Sequence, residues 1–149
     1  MSFIRRMFGG EPSDNLRIVI TRHGERADFA LGKGWMKEMQ QNGGHHPLVP
    51  ELTRRAHFGE WAYDPPLTNN GEQQSALVGK KIRNLGLTID YCYSSPAYRS
   101  VQTANKILES QGRKSVPINI EPGKTKENNI YIVTTYISLF LLFENNRFI

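Results

Sequence analysis

The segment TRHGER, residues 21–26, sets Arg22, His23, Glu25 and Arg26 directly behind the apolar run LRIVI (16–20). So dense a polar cluster at the end of a buried-looking run either builds a site or meets solvent. The residue types favour a definite chemistry. Guanidiniums present planar, forked donors that match the oxygens of a phosphoryl group. A neutral imidazole is a nucleophile, and surrounding cations lower its pKa and so keep it neutral. A further arginine, Arg99, follows a second apolar run within SSPAYRS (94–100). Arg22, Arg26 and Arg99 gathered around His23 would bind a phosphoryl group and could pass it to nitrogen.

For these groups to meet, two strand ends must share one edge of a sheet. LRIVI, short and rich in β-branched residues, is the first predicted strand. Residues 27–66 show no clean period and read as a long excursion with one short helix near Trp35, and long loops in compact domains are more often functional than idle. A helix is predicted from Thr68, with Thr68 or Asn69 as its cap and Val78, Ile82 and Leu85 along one face. Gly86 stops it. IDYCY (89–93) is a second strand, and SSPAYRSVQTANKILES (94–110) a second helix. Pro96 lies near that helix's first turn, and Val101, Ala104 and Leu108 share a face. VPINI (116–120) is a third strand, and residues 1–15 read as a flexible leader. Strands alternating with helices predict an α/β domain with a mostly parallel sheet and right-handed crossovers. Ligands of such folds gather at the carboxyl ends of the strands, where TRHGER and SSPAYRS both fall. Arg99 also sits in a helix's first turn, where backbone N–H groups and the helix dipole favour an anion.

Composition bounds the partners. At 149 residues, 38% hydrophobic and 22% charged, the chain is one globular domain's worth rather than a disordered segment. Its 19 basic and 14 acidic residues give a net charge of +5, which favours anionic partners. No Lys/Arg tract or basic–aromatic stripe marks a nucleic-acid surface, so a phosphorylated substrate is expected and nucleic acid is not. Cys92 is the only cysteine, which excludes an internal disulfide framework and points to a reducing, cytoplasmic setting. The opening MSFIRRMFGG lacks the apolar stretch of a signal peptide.

Other candidates compete less well. His45 and His46 are adjacent, so their side chains diverge, and no cysteine or carboxylate cluster completes a metal site. Arg54 and Arg55 could touch substrate from the excursion but read better as an exposed pair. Cys92 falls within a predicted strand rather than an anion-cradling loop, and reads as a small buried hydrophobe.

RHGE after an apolar strand, then PLTNNGEQQSALVGKKI (66–82), then YCYSSPAYRSVQTANKIL (91–108), resembles the histidine phosphatase (phosphoglycerate mutase-like) superfamily. Within it the phosphatase domain of the suppressor-of-T-cell-receptor-signalling proteins is most similar. That branch shares the extended RHGER, the long excursion and an EPG motif, here Glu121, Pro122 and Gly123. The resemblance runs from about Arg17 to Gly123 and implies a partial domain over 16–123, part of a three-layer α/β sandwich with a mostly parallel sheet. It implies a phosphatase of the histidine acid phosphatase type, hydrolysing a phosphate monoester on a phosphoprotein or small molecule. His23 would carry a phosphohistidine intermediate, Arg22, Arg26 and Arg99 would bind the phosphate, and neither metal nor cofactor would be required.

The departures matter equally. Lys126 occupies the position of the family's general acid, with Glu127 one residue out of register, and no histidine follows His57 to serve as the family's second catalytic histidine. Residues 124–149 diverge from the family, as an alternative transcript, a truncated gene or a faulty gene model would make them. A second reading follows: a catalytically impaired phosphate-binding or interaction module. The apolar run 130–143 is shorter than the ~20 residues of a membrane helix. It is expected to form a strand or helix covering an open sheet edge, its rival being a membrane-peripheral or aggregation-prone segment. Oligomeric state and substrate identity stay open at this level.

Overall fold

Strands and helices alternate from Leu16 to Ile120 in the computed structural model, which describes residues 16–53, 55–121 and 137–143. The parallel framework is β1 (Leu16–Arg22), β2 (Tyr91–Ser94) and β3 (Ile118–Ile120). Helices α1 (Ala27–Leu31) and α2 (Trp35–Gln41) and a 3-10 turn (Phe58–Ala62) occupy the excursion. Helices α3 (Asn69–Asn84) and α4 (Tyr98–Ser110) follow, and β4 (Ile137–Phe143) is the last strand described. The leader, Arg54, Lys126, Glu127 and the EPG residues Pro122 and Gly123 lie outside the described residues.

The strand order is β1-β4-β2-β3. β2 and β3 pair in parallel, with Cys92 opposite Ile118. β4 runs antiparallel to both neighbours, placing Phe140 opposite both Val19 and Cys92. The first three strands therefore run the same way, and the carboxyl ends of β1 and β2 open on one edge, as the site requires. The apolar tail does supply a strand over 137–143, but in the middle of the sheet rather than along its edge; residues 130–136 lie outside the described residues. A gap between two strands offers two rows of backbone donors and acceptors, whereas an edge offers one.

One helical layer covers the sheet. α4 packs on β2, β3 and β4, and α3 packs on α4. Ile82, Ile89, Cys92, Ala104, Ile107 and Leu108 form the core between them, with Val19 and Ile118 against it. Ile18 and Ile20 alternate to the opposite face, 46% and 64% exposed. Of the three layers expected, the described residues thus supply the sheet and one helical layer.

The face of α3 differs from the expected one. Ile82 is buried, but Val78 and Leu85 are exposed, and the remaining buried positions are Gly71, Ser75 and Gly79. A Cβ on Gly79 would come within 2.4 Å of the Ile107 carbonyl oxygen. The two helices meet through small residues at close range, a contact that hydrophobic periodicity does not register. The termini follow expectation more closely. The Thr68 hydroxyl accepts the Gly71 N–H at 3.0 Å, and Gly86, at φ +74°, takes the left-handed conformation that ends the helix. Pro96 lies near the first turn of α4 as expected, directly before the N-cap Ala97.

The excursion is more ordered than its sequence implies. Instead of one helix near Trp35 it holds three short helical segments around their own core of Ala27, Trp35, Met39, Val49 and Trp61. Segments of five to seven residues are too short to establish a period.

Candidate active site

The turn after β1 is built from contacts among the three motifs. Gly24 and Gly71 meet backbone to backbone: a Cβ on Gly24 would lie 2.3 Å from the Gly71 carbonyl oxygen, and a Cβ on Gly71 would lie 2.3 Å from that of Glu25. Only hydrogen atoms fit there. Glu25 then fastens the turn to the start of α3. Its carboxylate accepts the Thr68 hydroxyl at 2.6 Å and the Asn70 side-chain N–H at 3.1 Å. Its own N–H donates to Gln74 Oε1 at 2.9 Å. From α4, Thr103 accepts the Gly24 N–H at 3.2 Å while donating to the Arg99 carbonyl at 2.9 Å. Gln102 accepts the Leu67 N–H at 2.8 Å. The spacing of RHGE, LTNNGEQQ and RSVQT is therefore the spacing of a clamp that holds the turn carrying His23 against α3 and α4.

His23 Nδ1 lies 2.8 Å from the Gly24 carbonyl oxygen. A carbonyl only accepts, so Nδ1 carries the proton and Nε2 carries the lone pair of the neutral ring. The pKa of His23 is lowered from 6.5, chiefly by burial. The bond to Gly24 opposes this, and the charges of Arg99, Arg22 and Arg26 add to it in that order. All three predicted arginines thus act on the ring, though they are held differently. Arg22, the last residue of β1, is exposed. Arg99, the second residue of α4, is buried at 7% exposure. Arg26 forks onto Asp28, with Nε 2.9 Å from Oδ1 and Nη2 2.5 Å from Oδ2, and lies 4.5 Å over the Phe29 ring. Its charge reaches His23 while its Nε and Nη2 donate to Asp28.

Asp64 escaped the sequence reading. Its carboxylate accepts the Tyr98 N–H at 3.0 and 3.1 Å, at the first turn of α4, and pairs with Arg99 at 3.3 Å and Arg55 at 2.8 Å. Arg55 is therefore no exposed loop charge: its guanidinium stacks 3.7 Å from the Trp61 ring centroid. A lone acid before two prolines gives no sequence signal of such a role. Glu25, Gly71, Gln74 and Thr103 did carry one, because each belongs to a motif already recognised.

The remaining histidines have structural settings. His46 Nδ1 accepts the Leu48 N–H at 3.1 Å, and Nε2 lies 3.5 Å from Glu38. His57 is the N-cap of the 3-10 turn, and His45 lines a cavity of about 250 Å³ beside Phe58 and Trp61. Among the described residues no group of three or more His, Cys, Asp or Glu is placed to hold a metal ion. Cys92 is fully buried, and burial pushes its thiol up to about 12. A groove of about 550 Å³ between α3 and α4, bridged by Lys106 and Glu72 at 3.0 Å, lies outside this cluster.

Residues 18–124 match the model of the histidine phosphatase superfamily (branch 1). Over 114 residues the chain is 34% identical to human ubiquitin-associated and SH3 domain-containing protein A, covering 71% of this chain and 17% of that one. Over 112 residues it is 38% identical to the ecdysteroid-phosphate phosphatase of Bombyx mori, covering 71% of this chain and 17% of the relative. The crystal structure of the Bombyx mori ecdysone phosphate phosphatase in complex with tungstate superposes with a TM-score of 0.65 at 38% identity, over 72% of this chain and 44% of that one. The chain spans less than a fifth of the length of these curated relatives. It belongs to the histidine phosphatase superfamily.

Proposed function

We propose that this superfamily member hydrolyses phosphate monoesters through a phosphohistidine on His23. One observation carries the reading: the Gly24 carbonyl holds the proton on Nδ1, and burial with three arginines keeps the ring neutral, leaving Nε2 as nucleophile. In the first step the Nε2 lone pair attacks phosphorus, the ester P–O bond breaks, and the leaving oxygen takes its electron pair and then draws a proton from solvent water. Arg22, Arg26 and Arg99 balance charge on the equatorial oxygens. In the second step water attacks phosphorus, the P–N bond breaks, and phosphate departs. The arginines supply the positive charge that a metal would otherwise provide.

A small phosphate ester fits this reading, as does a phosphoprotein; one relative is named for ecdysteroid phosphates. Lys126 at the family's acid position favours esters whose leaving group needs no protonation. General acid catalysis is worth ~100- to 10,000-fold, so aryl phosphates should turn over far better than alkyl phosphates. The same residue favours the second reading, an impaired phosphate binder.

Labelling separates the two. Brief exposure of the folded chain to an aryl [³²P]phosphate should leave acid-labile, alkali-stable label on the protein. His23→Ala should abolish it, whereas His45→Ala and His57→Ala should not. A folded wild-type chain that binds phosphate but never labels would exclude the enzyme and leave the binder.

A further inference from the structure

Asp64 stands apart from the groups that the proposed chemistry uses, yet one of its four contacts is to Arg99 and two are to the start of the helix that carries Arg99. Both carboxylate oxygens accept the Tyr98 N–H, at 3.0 and 3.1 Å. Oδ1 also lies 3.3 Å from Arg99 Nη1, and Oδ2 lies 2.8 Å from Arg55 Nη2. A free N–H at a helix start needs one acceptor, and either carboxylate oxygen alone would satisfy that of Tyr98. The two guanidinium contacts exceed that need.

We propose that Asp64 is a positioning residue for phosphate binding, holding the plane of the Arg99 guanidinium in the orientation that receives the phosphoryl oxygens. The inference rests on the phosphatase reading of the His23 cluster. A guanidinium is rigid and planar, so a contact at Nη1, together with the side-chain tether at Nε, narrows the directions open to its other N–H groups. Arg99 reaches the site on a long side chain from the second position of α4, and its backbone alone does not set that plane. Asp64 is itself held in place. Arg55, stacked 3.7 Å from the Trp61 centroid and 5.4 Å from that of Tyr98, pins Oδ2, and the Tyr98 N–H sets the carboxylate relative to the helix start. The excursion is in this way joined to the phosphate cradle: the 3-10 turn carries Trp61, Trp61 seats Arg55, Arg55 holds Asp64, and Asp64 aims Arg99. Asp64 thus serves as the common acceptor for two arginines and a backbone amide.

A second effect runs the other way. The negative charge of Asp64 opposes a bound anion, so its removal would strengthen binding if charge alone mattered. The sign of the change therefore discriminates between aiming and neutralising.

The test measures tungstate affinity calorimetrically on the full chain and on Asp64→Asn, Arg99→Ala and the double variant, each checked for folding. Asn keeps an acceptor for the Tyr98 N–H and loses the ion pairs. Asp64→Asn should weaken binding about tenfold, the scale of one impaired charge-assisted hydrogen bond. In the Arg99→Ala background the same change should cost less than about twofold, because its effect passes through Arg99. Unchanged or tighter binding in Asp64→Asn overturns the proposal, as does an equal loss in both backgrounds, which marks a merely structural residue. If Arg99→Ala itself leaves tungstate affinity intact, the inference and the reading of the site fall together; if only Asp64→Asn is silent, the site stands and the inference falls. Should Asp64→Asn not fold, Arg55→Gln, which leaves Asp64 in place without its support, should weaken tungstate about threefold with Arg99 present and not in its absence.

Discussion

Gly71→Ala tests whether the three motifs are joined as described. Alanine in place of glycine within a helix ordinarily gains up to ~1 kcal/mol. Here the new Cβ would sit 2.3 Å from the Glu25 carbonyl oxygen and 2.8 Å from its nitrogen, both backbone atoms. The turn must back away, and overpacking of that kind costs ~1–3 kcal/mol. Its retreat would also stretch the Glu25 contacts to Thr68 (2.6 Å), Asn70 (3.1 Å) and Gln74 (2.9 Å). Neutral hydrogen bonds contribute ~0.5–1.5 kcal/mol and charged ones ~1.5–3, and the three are not additive. Subtracting the helix gain leaves a net loss of ~2–4 kcal/mol, measurable by urea denaturation. Because the displaced turn carries His23, the folded fraction should bind tungstate more weakly as well. Gly79→Ala provides the contrast: its Cβ would meet Ser110 and Ile107, so it should destabilise without altering tungstate binding by the folded chain. A Gly71→Ala chain as stable as wild type, or more so, would refute the close approach and with it the clamp.

Three further outcomes are expected. The pKa of His23 lies below 6.5, so as pH falls through the range beneath 6.5 the unfolded chain binds a proton before the folded one does; stability should be fully present above that range and decline below it, and His23→Ala should flatten the decline in urea titrations run at successive pH values. Arg22 is exposed and Arg99 buried, so the loss of tungstate affinity in Arg22→Ala should shrink in high salt while that in Arg99→Ala persists; equal salt sensitivity would contradict their placement. Cys92, with its thiol pushed to about 12, should resist Ellman's reagent at neutral pH in the native chain and react on unfolding, whereas rapid native reaction would contradict its burial.

Much of the framework was legible because its signals are local. β1, α4 and β3 follow from β-branched runs and from an apolar face with a proline ahead of it, and a cap residue and a glycine stop bound α3. The buried face of α3 was not legible, since Gly71, Ser75 and Gly79 are small rather than apolar and their meaning depends on a partner helix. The place of β4 was hidden for a similar reason. An apolar run shows that a strand is favourable, but which gap it fills depends on the backbone groups left open elsewhere in the sheet.

The site divides along the same line. Arg22, His23, Arg26 and Arg99 could be named because phosphate chemistry requires those residue types and because strand ends are where such ligands gather. What could not be read is how they are held. Arg26 turns its Nε and Nη2 to Asp28, two residues along the chain, while Arg99 is met by Asp64, 35 residues away in sequence. Charge at the ring needs only nearness, so all three arginines lower the pKa of His23. Directed hydrogen bonds to a phosphoryl group would need orientation as well, which is the part the proposal gives to Asp64. Residue type therefore announced the chemistry, whereas the partners that hold the groups, Gly24 for the His23 ring, Asp28 for Arg26 and Asp64 for Arg99, emerge only from the folded chain.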